Sequence, residues 1–186
     1  MEKKDISAFE NKSNIQKLVR ASLLLAIAIV FQIIGRNIPE INQFFVGPSI
    51  NCILILTVLL TDRWFGLVVG SLTPLLALLV GQLATPLIPF IPFIMIGNFL
   101  FVYIFSLFQK GELTKRGIGI IIGAITKYAF LTLAATKLIN IFNLNFPDKV
   151  AKALAISMGI PQLITALVGG TFALIIMGLL IKRNVV

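Results

Sequence analysis

Histidine is absent from this 186-residue sequence and cysteine occurs once, at Cys52. Without an imidazole there is no histidine base and no histidine metal site, and a lone cysteine cannot close an internal disulfide. Acidic residues are scarce too: Glu2, Asp5, Glu10, Glu40, Asp62, Glu112 and Asp148 all fall outside the long apolar runs. No H-E-x-x-H, no G-x-S-x-G and no pair of carboxylates within an apolar run is present, so the chain is not expected to be an enzyme or to hold a metal or cofactor. A Gly-x-x-x-x-Gly-Lys-Ser/Thr loop is also missing, so ATP is not hydrolysed by this chain itself.

What fills the sequence is hydrocarbon. Hydrophobic residues make up 58% and charged residues only 12%, with a mean hydropathy of +1.02, against about 25% charged residues in soluble domains. The composition predicts an all-α integral membrane protein. Apolar stretches run over 15–35, 46–61, 64–83, 88–108, 117–142 and 158–181, each near the ~20 residues that a bilayer crossing takes. The second is the weakest, because Pro48 and Asn51 leave a short clean core of 52–60. Residues 1–14 read as a polar cytoplasmic tail without a signal-peptide cleavage site, and 15–183 as one six-helix transmembrane domain.

The net charge of +9 would suggest nucleic acid in a soluble protein, but here the cations sit between apolar runs and report topology; no nucleic-acid partner is expected. Six crossings place Lys3, Lys4, Lys12, Lys17, Arg20, Arg63, Lys110, Lys115, Arg116, Lys182 and Arg183 on one side, and only Arg36, Lys149 and Lys152 on the other. The positive-inside rule then sets both termini in the cytoplasm of a multi-pass cell-membrane protein. Gly66-x-x-x-Gly70 and Gly119-x-x-x-Gly123 supply small faces for helix packing within one bundle. Trp64 reads as an interfacial anchor, and Cys52 as a small buried apolar residue.

Lys127 is the anomaly. It lies ten residues after Gly117, about 15 Å into the bilayer at ~1.5 Å per residue, where an ionisable side chain is costly and marks function by default. Gly119, Gly123 and Lys127 share one helical face, which directs the ammonium into the bundle. No acid is available in any span, so either the amine sheds its proton, amides and carbonyls solvate it, or an anionic or carbonyl-rich ligand pairs with it. Asn98 lies at the same depth, and Asn51, Gln82, Lys137, Asn140 and Gln162 lie in the outer parts of their spans. The inner halves are almost purely apolar. This asymmetry describes a pocket open outward and sealed inward, whereas a channel needs a polar path throughout.

Each polar residue also has a plainer reading. Asn51 and Gln162 adjoin Pro48 and Pro161 and could cap backbone, Lys137 could snorkel to headgroups, and Tyr128 could simply pack rather than stack on a ligand. Outer loop one, from Arg36 to Phe45, carries Asn37, Asn42, Gln43 and the Phe44–Phe45 pair. Outer loop three, 84–93, is stiffened by three prolines. Aromatic tips there could form a lid or dip into lipid.

Six spans, a basic start, an outer-half pocket and no ATPase motif resemble the substrate-binding (S) component of energy-coupling factor (ECF) transporters. The strings GLVVGSLTP (66–74), PFIPFIMIGNFLF (89–101), KYAFL (127–131) and PQLITALVGG (161–170) are similar to stretches of the riboflavin- and pantothenate-type S family, over about 17–183. The resemblance implies capture of a water-soluble vitamin or related micronutrient from outside. Delivery would need a transmembrane coupling (T) protein and two cytoplasmic ATPases, with toppling of the S component in the bilayer. It also implies an Ala-x-x-x-Ala contact for the coupling protein in the first helix, matched here by Ser22 and Ala26. Lys127, Asn98, Asn51, Gln162, Gln82, Tyr128 and Lys137 are then the expected substrate-binding residues; the lysine favours an anion such as pantothenate, although flavin carbonyls would also accept from it. The alternative is a stand-alone secondary transporter of a small anionic solute, against which stands the lack of an internal repeat or acidic coupling residue.

Overall fold

A computed structural model describes residues 2–38, 42–144 and 146–184, apart from the side chains of 2–12, 42 and 43. Asn42, Gln43 and Glu40, named above, therefore lie outside the described side chains. The described residues are helical: α1 (Glu2–Asn37), α2 (Asn42–Leu60), α3 (Arg63–Leu79), a 3₁₀ turn (Thr85–Phe90), α4 (Ile91–Phe108), α5 (Leu113–Leu133), a π turn (Ala134–Leu138), the one-turn α6 (Ile139–Ile141), α7 (Asp148–Ser157) and α8 (Ile160–Lys182). The polar opening expected as a tail is thus helical from Glu2 and continuous with the first span.

The six apolar runs of the sequence all fall on helices, but these are not equal. Four stretches, Ser13–Asn37, Thr85–Phe108, Leu113–Ile141 and Asp148–Lys182, are long and apolar enough to cross a membrane. Phe44–Leu60 and Arg63–Leu79 are shorter; at ~1.5 Å per residue each covers about 25 Å of a hydrocarbon layer about 30 Å thick. Pro48 and Pro74 sit inside these two helices without ending them.

Helix ends follow local chemistry. Asp62 caps α3 by accepting from the backbone N–H of Trp64 (3.0 Å) and Phe65 (3.3 Å). At the other end, Gln82 N–H reaches Ala77 O and Gly81 N–H reaches Leu78 O, both at 2.9 Å, closing a Schellman turn. That turn requires the left-handed φ of +72° at Gly81, which glycine adopts without strain. Asn143, at φ +50°, ends α6 in the same way, with Leu144 N–H on Ile139 O and Asn143 N–H on Asn140 O.

The apolar part of α1, Ser13–Asn37, is tied to its neighbours near both its ends. Lys17 pairs with Asp62 at 3.2 Å, Arg20 donates to Leu60 O at the end of α2 (3.1 Å), and Arg36 donates to Val80 O beyond α3 (3.0 Å). The two arginines bring cations to helix C-termini, where the backbone dipole favours them. Arg36 also packs so closely on Gly81 that a Cβ there would stand 3.2 Å from its guanidinium carbon.

Two apolar clusters form the core. The larger joins Ala21, Ala28, Ile53–Leu56, Val58, Leu67, Val69, Phe101, Val102, Phe105, Ile120, Ala124, Ala166 and Ala173. The smaller gathers Phe90, Leu131, Ala134, Ala135, Ile139, Leu154 and Met158 beneath the 3₁₀ turn and α7. Phe90, a candidate lid residue by sequence, is fully buried and stacks on Phe93 at 5.2 Å, because the proline-rich segment folds as a 3₁₀ turn that drives it into this cluster. The glycine pairs serve the bundle: Gly66 and Gly70 sit against Val58, Val102, Leu54 and Asn98, while Gly119 and Gly123 sit against Phe108 and Phe101. The tightest approach is one the sequence reading passes over: a Cβ at Gly169 of α8 would press on Pro48 O and lie 2.7 Å from Asn51 Cβ and 2.8 Å from the Cys52 nitrogen.

Candidate functional site

The site is assembled from helix defects. In a regular α-helix the Gly70 carbonyl would accept from the N–H four residues on, which Pro74 lacks. Gly70 O accepts instead from Asn98 Nδ2 of α4 (2.9 Å) and from Thr73 Oγ1 (3.1 Å). Asn98 Nδ2 also lies 3.4 Å from Thr73 Oγ1. On α2, Asn51 Nδ2 donates to Gly47 O at 2.9 Å. Both amides thus spend their nitrogens on backbone, which leaves their oxygens to turn inward.

Lys127 of α5 meets those two oxygens. Its Nζ donates to Asn51 Oδ1 at 2.7 Å and to Asn98 Oδ1 at 2.8 Å, and lies 5.6 Å from the Phe101 ring centroid, within cation–π range. All three residues are buried, Lys127 to 3% exposure. Of the sequence alternatives, amide solvation is therefore present. Amides orient a cation without neutralising it, and the only ion pair among the described residues is the distant Lys17–Asp62. An ammonium has three donors, and two are engaged here.

Beside this triad lies a cavity of about 430 Å³, within the 300–1,000 Å³ range of small-molecule sites. α1 contributes Gln32; α2 contributes Val46, Gly47, Ile50 and Asn51; α3 contributes Thr73, Pro74 and Ala77. The Schellman turn adds Gln82 and Leu83, and the far wall holds Leu87, Ile94, Asn98, Lys127, Ser157, Met158, Gln162 and Thr165. The wall is largely apolar with a few convergent polar groups. It lies at the bundle end where α1 finishes and α2 and α8 begin, away from the larger apolar cluster.

Of the residues expected from sequence, Lys127, Asn98, Asn51, Gln162 and Gln82 line the cavity. Tyr128 and Lys137 do not. Tyr128 is one residue, about 100° of helix, round from Lys127 and half-buried elsewhere. Lys137 lies in the π turn with its side chain exposed, and Asn140 is also exposed. Asn51 does not cap a helix start: its nitrogen donates to Gly47 O within α2 and its oxygen accepts from Lys127. Ser22 and Ala26 are exposed on the outer face of α1.

Sequence reasoning passed over Gln32 and α7. Gln32 is 3% exposed, lines the cavity and donates from Nε2 to Thr73 O at 2.9 Å. Among the described side chains of α1, Ala21, Ala28, Gln32 and Gly35 are the buried ones, a stripe at helical spacing whose inward direction only the fold shows. α7 buries only Leu154 and carries Lys149 and Lys152, so it reads as loop in a scan for long apolar runs.

The family model of the ECF transporter substrate-specific component matches residues 16–181. No curated protein and no solved structure matches. That match takes in every residue lining the cavity, and on it the chain belongs to the ECF transporter substrate-specific component family.

Proposed function

We propose that the chain crosses the bilayer six times with both termini cytoplasmic, and that its cavity captures a small water-soluble vitamin or related micronutrient from outside. The observation that carries this reading is the buried Lys127, aligned by two asparagines and uncompensated by any described acid, at the wall of a ligand-sized cavity. Asn51, Asn98, Gln162 and Gln82 complete the polar contacts, and the apolar wall strips water from the cargo. A volume of about 430 Å³ suits a small molecule, and the cation at its wall supports an anionic cargo of the pantothenate type, although flavin carbonyls would also accept from it.

Delivery is proposed to follow the family pattern, with a T protein and two cytoplasmic ATPases supplying the work. The exposed Ser22 and Ala26 offer a small-residue face for the T protein. Mass spectrometry of compounds released from the mild-detergent-purified protein tests capture. The expected result is one stoichiometric, compact, oxygen-rich molecule, lost in Lys127→Met; equal retention by the folded variant overturns the assignment. Vesicle uptake should require the ATPase module and ATP. Uptake by the chain alone would instead make it a stand-alone secondary transporter.

A further inference from the structure

Gln32 Oε1 is, among the described residues, the one buried side-chain polar atom with no hydrogen-bond partner. The geometry around it fixes which atom is left over. Thr73 O, at 2.9 Å, is an acceptor and can be met only by the amide nitrogen, so the oxygen is presented as an acceptor and nothing else. A buried acceptor left unpaired is costly. Apolar residues such as Leu or Met would fill the same stripe of α1 without that cost.

Gln32 also belongs to the Lys127 network. Its partner residue Thr73 lies 3.4 Å, through Oγ1, from Asn98 Nδ2, and Asn98 Oδ1 holds Lys127 Nζ. The cavity therefore carries a donor, the ammonium, and an acceptor, the Gln32 oxygen, at the two ends of one bonded chain through Thr73 and Asn98.

We infer that Gln32 is a specificity residue whose Oε1 accepts a hydrogen bond from an N–H or O–H of the cargo while Lys127 donates to a cargo oxygen. This rests on the capture reading above. The cargo class is then narrowed to molecules bearing both a carboxylate or carbonyl oxygen and a separate donor, such as hydroxy acids and secondary amides. Simple carboxylates and fully substituted amides are rejected, because they leave Oε1 unpaired. A site built around a ligand donor discriminates strongly against analogues that lack it.

The test uses the full chain in lipid nanodiscs and calorimetric binding of pantothenate and riboflavin. For pantothenate, three analogues each lack one donor: the amide nitrogen methylated, or either hydroxyl replaced by hydrogen. For riboflavin, the analogue is methylated at the imide nitrogen. Gln32→Met should weaken binding of the parent probe by about 10- to 100-fold, the range for one hydrogen bond in a desolvated site. Removing the matching donor should weaken wild-type binding equally and leave the variant's affinity unchanged, a non-additive cycle. The analogue arm uses wild-type protein and needs no variant to fold.

Additive losses for every donor, or unchanged affinity in Gln32→Met while Lys127→Met loses binding, overturn the role of Gln32 and leave capture at Lys127 standing. Failure of both probes to bind wild-type protein overturns the pantothenate- or riboflavin-type capture reading and this inference with it.

Discussion

The two ends of the bundle solve the same problem in opposite ways. At the closed end, α2, α4 and α5 meet through Leu54, Ile55, Val58, Phe101, Phe105 and Ala124, each at most 1% exposed. Buried Thr57 and Ser106 there return their hydroxyls to their own helices, at Ile53 O (2.8 Å) and Tyr103 O (2.6 Å). At the cavity end, buried polar groups reach across helices: Lys127 to Asn51 and Asn98, Asn98 to Gly70, Gln32 to Thr73. Polar atoms that satisfy themselves locally leave a sealed core. Those that depend on neighbouring helices leave directional groups at the wall of a space.

This contrast predicts that stability and binding separate by substitution. The largest effect on stability should come from Phe105→Ala in the closed end. About 3 kcal/mol is expected, the low end of the range for Phe→Ala, because a side chain leaving this core for lipid remains in an apolar medium. Reversible unfolding in mixed micelles measures it, and a folded Phe105→Ala protein should keep its ligand affinity.

Lys127→Met should do the reverse, costing about 100-fold in affinity, about 2.8 kcal/mol at ~1.4 kcal/mol per tenfold, with a fold intact by circular dichroism. If it instead unfolds the bundle, the lysine is a structural hub and the division between the ends fails. Gly169→Ala joins the two effects. The new methyl would press on Asn51 and the backbone of α2, so a stability loss of about 1–3 kcal/mol should accompany weaker binding as Asn51 shifts from Lys127. Asp62→Ala, which removes the α3 cap and the Lys17 pair, should cost about 1 kcal/mol and leave affinity unchanged. Smallest of all is Lys137→Ala, for which no change in binding is expected by the same calorimetry.

The legible parts of the site were those that clash with their surroundings in sequence. Lys127 stands out in an apolar run, and Asn98 and Asn51 are amides at matching depth. Gln32 does not stand out, since one amide near a helix end has many ordinary uses. Only the fold shows that α1 packs its Ala21–Ala28–Gly35 stripe inward at that level. Pro74 was visible, yet its effect was not, because the carbonyl it frees is claimed by a residue 28 positions away. The short α2 looked insecure from Pro48, but Gly169 lets α8 lie directly against it and packing carries the helix through the proline. Tyr128 was placed beside Lys127 by sequence adjacency, which in a helix separates two side chains rather than joining them.

The three cationic ties of α1 bear on how the protein can move. Lys17 and Arg36 hold α3 at its two ends, and Arg20 holds the end of α2. A one-residue slide of α1, about 1.5 Å, would strain all three together. The first three helices therefore form a braced panel, which presents Gln32, Asn51 and Thr73 to the cavity as one unit.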